Sequence, residues 1–220
     1  MGKLITIEGV DGAGKQTLSR AMTHVWEGAG LTVARLGFPR YGESVHADLA
    51  SEALHGAHGD LTGSVYAMAL LFALDRQGAA HDLRRLINRT DIVLLDRYVA
   101  SNAAYSAARL GQDADGAVVT WVRELEFERF ALPVPDIQLL LHTPVDVAAA
   151  RAAGRAAADA ARERDAYERD GGLQRRTATV YEQLAQRDWV SHWRIVESDE
   201  PAQLAADLVN QLSSSEGVTR

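Results

Sequence analysis

Residues 9 to 17, GVDGAGKQT, carry the first candidate chemistry. Gly9, Gly14 and Lys15 satisfy the spacing G-x-x-x-x-G-K. In that pattern glycines let the backbone turn its N–H groups toward an anion, and the lysine neutralises phosphate charge. A β-rich run precedes the loop and a helix-compatible stretch follows it, so a bound anion would also lie at the positive end of a helix. Gly9, Val10, Asp11, Gly12, Ala13, Gly14, Lys15, Gln16 and Thr17 thus form a candidate phosphate cradle, and the chemistry implied is phosphoryl transfer or hydrolysis. One position departs from the pattern. The residue after the lysine ordinarily holds Mg²⁺ through a hydroxyl, and Gln16 has none. Thr17 is no simple substitute, because one residue along a helix turns the side chain by about 100°. Carboxylates near the loop are the alternative metal ligands. Asp96 ends the apolar run DIVLLD, and Asp11 puts negative charge inside a phosphate loop, where a cation or a substrate hydroxyl must offset it.

Other chemistry-bearing residues fall into groups. Phe72 and Arg76 are four apart in SVYAMALLFALDRQ and share a helix face, which sets a flat ring beside a guanidinium. A planar base could stack on one and hydrogen-bond the other. Arg97 adjoins Asp96, and Arg40 follows Phe38 and Pro39, so two guanidiniums could converge on a phosphate dianion. Ser101 and Tyr105 share a face of the next helix, with Asn102 beside them, and Tyr41 is a further candidate pocket wall. Arg151, Arg155 and Arg162 lie close to one helical face in the Ala/Arg-rich segment 148 to 164, with Asp159 among them.

These groups need elements to position them. The runs LITIE, TVARLGF, DIVLLD, DIQLLLH and WRIVE alternate with helical stretches, which predicts an α/β fold. Continuous apolar character in IVLL and QLLL predicts strands covered on both faces, hence a mostly parallel five-stranded sheet flanked by helices. Ligands of such sheets gather beyond the carboxyl ends of the strands. The phosphate loop, FPRY and DRYVASN all fall there.

At 220 residues the chain is read as one domain, 1 to 220. A net charge of -7 argues against a general nucleic-acid or membrane-surface binder, so any anion site must be local. Lysine occurs only at Lys3 and Lys15, which makes a lysine inside the glycine loop pointed rather than incidental. The absence of cysteine excludes disulfides and thiolate metal sites and fits a cytoplasmic protein. No run approaches the roughly 20 apolar residues that span a bilayer.

EGVDGAGKQT, FPRYGES, ALLFALDR, DRYVASNAAYSAA and RERDAYE together resemble, over nearly the whole chain, the motifs of the thymidylate kinases, nearest to the actinobacterial, mycobacterial-type members. The resemblance implies a three-layer fold like that of the P-loop nucleoside monophosphate kinases, with a phosphate loop at 9 to 17 and an arginine-rich lid at 151 to 168. It implies phosphorylation of dTMP to dTDP, with ATP as donor and Mg²⁺ as cofactor, and a homodimer. It assigns dTMP to Asp11, Phe38, Tyr41, Phe72, Arg76, Arg97, Ser101, Asn102, Tyr105, Asp165, Tyr167 and Glu168, and metal control to Asp11, Asp96 and Glu168. Tyr105 would crowd the sugar's 2′ position, and Asn102 would read the base edge. Gly12 and Gln16 are neutral, so the catalytic arginine is expected in the lid. Arg155 is favoured, with Arg151 and Arg162 as alternates, beside Lys15 and Arg97. The readings that compete are a kinase of another nucleoside monophosphate or of a nucleoside, a catalytically dead phosphate-loop scaffold, and a nucleotide-binding switch. The missing N-K-x-D guanine-reading pattern counts against the switch.

Overall fold

The computed structural model describes residues 2–158, 165–197 and 200–215, with the side chains of 155–158 and 211–215 outside the description. Strands β1 (Lys3–Glu8), β2 (Val33–Gly37), β3 (Ile92–Asp96), β4 (Ile137–Leu141) and β5 (His192–Val196) form one sheet in the order β2-β3-β1-β4-β5. Every strand pairing is parallel, so the expected mostly parallel sheet is wholly so among the described residues. The apolar runs explain the order. The three central strands are almost completely buried, whereas at the edges β2 has only half-buried and exposed positions and β5 mixes buried and exposed ones.

The helices among the described residues are α1 (Lys15–Gly28), α2 (Val45–Leu54), α3 (Val65–Arg89), α4 (Val99–Leu110), α5 (Ala117–Arg123), α6 (Val145–Ala158), α7 (Ala166–Arg169), α8 (Gly171–Gln186) and α9 (Pro201–Ser215), and a π-helical turn, Glu124–Arg129, extends α5. They cover both sheet faces. Ile5 and Ile7 of β1, Leu94 of β3 and Leu139 of β4 point toward α1 and α9, while Leu4, Val93, Leu95 and Leu140 point toward α3, α4, α5 and α8. This period-two alternation builds two cores on one sheet. Each fully buried aliphatic side chain stabilises the fold by about 1.5–3 kcal/mol. Trp26 locks α1 to α9, because its indole Nε1 donates to the Ala205 carbonyl at 2.9 Å.

Parallel register places the carboxyl ends of β1, β3 and β4 at one edge of the sheet. From that edge run the loop into α1, the Asp96-Arg97 turn into α4, and the segment into α6. The topology therefore gathers at one place the motifs that lie far apart in the chain.

Candidate active site

The chain leaves β1 at Glu8 and turns through the glycine loop before α1 begins at Lys15. Two positions show why glycine is needed. Gly12 has φ 87°, and a Cβ there would stand 1.9 Å from the Ala148 carbonyl oxygen of α6. Gly14, the residue before α1, has φ 103°. Buried Lys15 donates from Nζ to the carbonyls of Gly9 at 3.0 Å and Val10 at 2.9 Å. Gln16 and Thr17 are both exposed on the first turn of α1, so the side chain that departs from the hydroxyl pattern faces solvent.

Arg97 reaches this loop from the end of β3. Its φ of 66° is left-handed, which costs a residue bearing a Cβ about 1–3 kcal/mol. A dense set of contacts holds it there. Its backbone N–H donates to Ile7 O at 2.9 Å. Nη2 meets Asp11 Oδ1 at 2.5 Å, and Nη1 donates to Ser101 Oγ at 3.1 Å and Tyr181 OH at 3.3 Å. The other Asp11 oxygen accepts from Tyr105 OH at 2.6 Å and Gln174 Nε2 at 3.3 Å. Burial alone would raise the Asp11 carboxyl, but the charges of Arg97 and Lys15, with hydrogen bonds from Tyr105 and Arg97, hold it well below the usual carboxylate range.

Beyond this pair opens a cleft. The structure brings around it Asp11, Phe38, Tyr41, Phe72, Arg76, Arg97, Ser101, Asn102, Tyr105, Asp165 and Tyr167, which is every residue the resemblance assigns to dTMP except Glu168. Glu168 sits on α7, where its N–H donates to Asp165 Oδ1 at 2.8 Å and starts the helix. Phe72 and Arg76 of α3 both line the cleft, as does Arg97, which meets Asp11 of the phosphate loop. Tyr105 and Tyr167 stack with centroids 6.0 Å apart.

The family model for thymidylate kinase matches residues 7–205. The chain belongs to the thymidylate kinase family. It is similar to the thymidylate kinase of Mycobacterium tuberculosis, 56% identical over 206 residues that cover 93% of this chain and 96% of that one. It is also similar to the thymidylate kinase of Thermomicrobium roseum, 35% identical over 95% and 93% of the two chains, and to that of Desulforudis audaxviator, 32% identical over 94% and 88%. The protein is a nucleoside monophosphate kinase.

The kinase arranges some residues differently from the expectation. Arg40 does not line the cleft. Buried Asp75 needs a partner, and Arg40 supplies it, donating from Nε to Oδ1 at 2.9 Å and from its backbone N–H to Oδ2 at 2.9 Å. Convergence of Arg40 with Arg97 on one phosphate is therefore not what the structure holds. Arg76 lines the cleft but commits Nε and Nη2 to Glu126 at 2.5 and 2.8 Å, and Asn102 spends its amide protons on Ala69 O at 3.0 Å and Glu126 Oε1 at 2.8 Å. Glu126 escaped sequence reasoning because it lies 50 residues from Arg76. Arg109 was missed as well, although it stands four residues after Tyr105; its guanidinium lies 4.9 Å over the Tyr167 ring.

Asp96 lies in register with Ile7, hence on the α1 face of the sheet and away from the cleft lining. Among the described residues no three carboxylates or histidines gather as a metal cluster, so Asp11, Asp96 and Glu168 do not form one ready-made cage. Arg151 reaches the phosphate loop, with Nη1 3.5 Å from Ala13 O. Arg155 lies one turn further along α6, with its side chain outside the described residues, as are Asp159 and Arg162.

Burial lowers the Lys15 pKa to about 8 against 10.5 in water; Arg97 adds to the effect, and Asp11, Asp96 and Glu8 oppose it. The unfolded chain therefore holds a proton that the folded chain has shed between about pH 8 and pH 10, and stability must rise with pH across that window. Urea unfolding of the native protein and of Lys15→Met between pH 7 and 10 checks this: the native protein should gain stability relative to the variant as pH rises.

Proposed function

We propose that the kinase transfers the γ-phosphoryl group of ATP to the 5′ phosphate of dTMP by direct in-line displacement. An oxygen of the acceptor phosphate forms a bond to the γ phosphorus as the bond from that phosphorus to the β–γ bridging oxygen breaks, and ADP leaves with the electron pair. The acceptor is already anionic, so no general base is required. Positioning and charge neutralisation supply the catalysis. One observation carries this reading: a single cleft runs from Phe72 and Arg76 to Arg97, and Arg97 sits at 2.5 Å from a carboxylate of the phosphate loop itself.

In this reading the thymine ring stacks on Phe72. Thymine offers an acceptor, O4, beside a donor, N3–H; Arg76 can donate to the first and the Asn102 carbonyl oxygen can accept from the second. Cytosine reverses both groups and leaves each partner facing its like. Phe38 and Tyr41 wall the pocket, Tyr105 and Tyr167 enclose the sugar, and Ser101 supports the phosphate end. Asp165 and Glu168 approach the 3′ hydroxyl. Arg97 binds the acceptor phosphate, Lys15 the donor phosphates, and Arg155 of the lid, with residues 151 to 168 as its frame, the transferring group. Single-domain organisation over 1–220 accompanies this assignment.

Mg²⁺ fits the donors. It takes one or two carboxylates and fills its remaining positions with water and substrate phosphate, so one or two of Asp11, Asp96 and Glu168 would hold it, not all three together. Bound there, the ion would neutralise charge on the β and γ phosphate oxygens. Exposed Tyr66 and Leu70 lie four apart on α3 and support that helix as a homodimer face. No described helix is long and apolar enough to cross a membrane. A cytoplasmic homodimer working in dTTP synthesis is the setting we infer.

Coupled ADP release with dTMP, dUMP, dCMP, AMP and thymidine tests the acceptor. Turnover should be greatest with dTMP, lower with dUMP by only about fivefold because a methyl group is worth about 1 kcal/mol, and near background with the others. Preference for another monophosphate would replace the reading, and tight binding of ATP and dTMP without turnover would indicate a nucleotide-binding scaffold. Arg155→Ala should leave dTMP affinity near normal and lower kcat by about tenfold or more; an unchanged kcat removes that arginine from the mechanism.

A further inference from the structure

Glu8 is the last residue of β1 and has no part in the reaction described so far, yet it is fully buried. An ionised carboxylate is expensive to bury unless donors surround it. Three do. Oε1 accepts the backbone N–H of Tyr98 at 2.8 Å, and Oε2 accepts the hydroxyls of Ser101 at 2.7 Å and Tyr181 at 3.2 Å. Each of these partners also governs Arg97. Tyr98 is the next residue in the chain, so its peptide fixes the left-handed turn that aims the guanidinium. Ser101 Oγ and Tyr181 OH, 2.6 Å apart, both accept from Arg97 Nη1.

We infer that Glu8 is a positioning residue for Arg97, holding its backbone through Tyr98 and its guanidinium through the Ser101 and Tyr181 hydroxyls. The inference rests on Arg97 as the acceptor-phosphate ligand. Burial pushes the Glu8 carboxyl up, while Ser101, Arg97, the Tyr98 N–H and Lys15 pull it back; in its ionised form Glu8 carries only acceptors, whereas Arg97 and the Tyr98 N–H carry only donors and the two hydroxyls carry both. Two hydroxyl protons serve three contacts, those of Ser101 and Tyr181 with Glu8 and the 2.6 Å contact between them, so an ionised Glu8 takes at least one proton while both hydroxyl oxygens stay able to accept from Arg97. Asp11 meets Nη2 whereas the hydroxyls bound to Glu8 meet Nη1, so the guanidinium keeps one set of contacts when Asp11 exchanges partners. Tyr181 lies on α8, which ties that helix to the setting of Arg97.

Glu8→Gln keeps the shape but turns one acceptor oxygen into a donor and removes the charge. Steady-state kinetics should show the dTMP KM raised by about fivefold or more, with the ATP KM within about twofold of native. In an Arg97→Gln background the same change should add less than about twofold, because it acts through Arg97. Effects of Glu8→Gln that persist at full size in that background overturn the positioning role and leave Arg97's own role intact. If Arg97→Gln itself leaves the dTMP KM unchanged, Arg97 is not the phosphate ligand and the inference about Glu8 falls with it. Tyr181→Phe serves where Glu8→Gln does not fold. It deletes one hydroxyl and should raise the dTMP KM by about twofold, an increase that should vanish beside Arg97→Gln; an unaltered dTMP KM, or an increase that survives beside Arg97→Gln, overturns the inference.

Discussion

The contact between Arg97 and Asp11 joins the two halves of the site. Asp11 belongs to the loop after β1, and Arg97 to the turn after β3; these strands lie side by side, so their ends are neighbours although 86 residues separate the two side chains. Without a parallel sheet in this strand order the guanidinium could not meet the phosphate loop. With it, one cation stands within reach of both the loop that would hold the donor and the cleft that would hold the acceptor. Burial, and after it the charge of Arg97, lowers the Lys15 pKa, so the two cations stand near enough to repel one another. Such crowding of positive charge is what an anionic transition state relieves.

Two arginines of the cleft lining are paired with carboxylates, and the burial of the pairs assigns them different work. Arg76 and Glu126 have side-chain exposures of 3% and 0%, while Arg97 and Asp11 have 14% and 26%. Removing one partner from a fully buried pair costs about 3–5 kcal/mol. Arg76 is therefore a fixed wall, and it meets a ligand with whatever donors Glu126 leaves to it. The Arg97–Asp11 pair is partly solvated, so its guanidinium can exchange a carboxylate for a phosphate at smaller cost. The site thus combines a rigid end, suited to reading a base, with an exchangeable end, suited to catalysis.

Much of this was legible in the sequence. Continuous apolar runs marked the central strands because burial on both faces leaves no room for polar residues, and spacing alone exposed the phosphate loop and the Phe72–Arg76 face. The cleft itself was legible through resemblance to a family, since nothing local says that Asp165 and Phe38 share a wall. Glu8, Gln174 and Glu126 escaped for a common reason: each has side-chain partners far away in the chain, as distant as 173, 163 and 50 residues respectively, and such pairing leaves no periodic trace. Arg40 was misread because an arginine after a strand suits a ligand as well as it suits a buried aspartate; only the fold shows that Asp75 claims it. Gln16, the one departure from the loop's hydroxyl pattern, lies exposed on the first turn of α1.

If Arg97 is the group that exchanges Asp11 for the acceptor phosphate, the phosphate's share of binding energy should pass through that one side chain. Calorimetric titration of dTMP and of thymidine into native protein and Arg97→Gln isolates this share as the ratio of the two dissociation constants. In the native protein dTMP should bind about tenfold or more tightly than thymidine. Arg97→Gln should abolish most of that ratio and leave thymidine affinity unaltered. A ratio that survives the substitution would contradict the exchange and place the acceptor phosphate elsewhere.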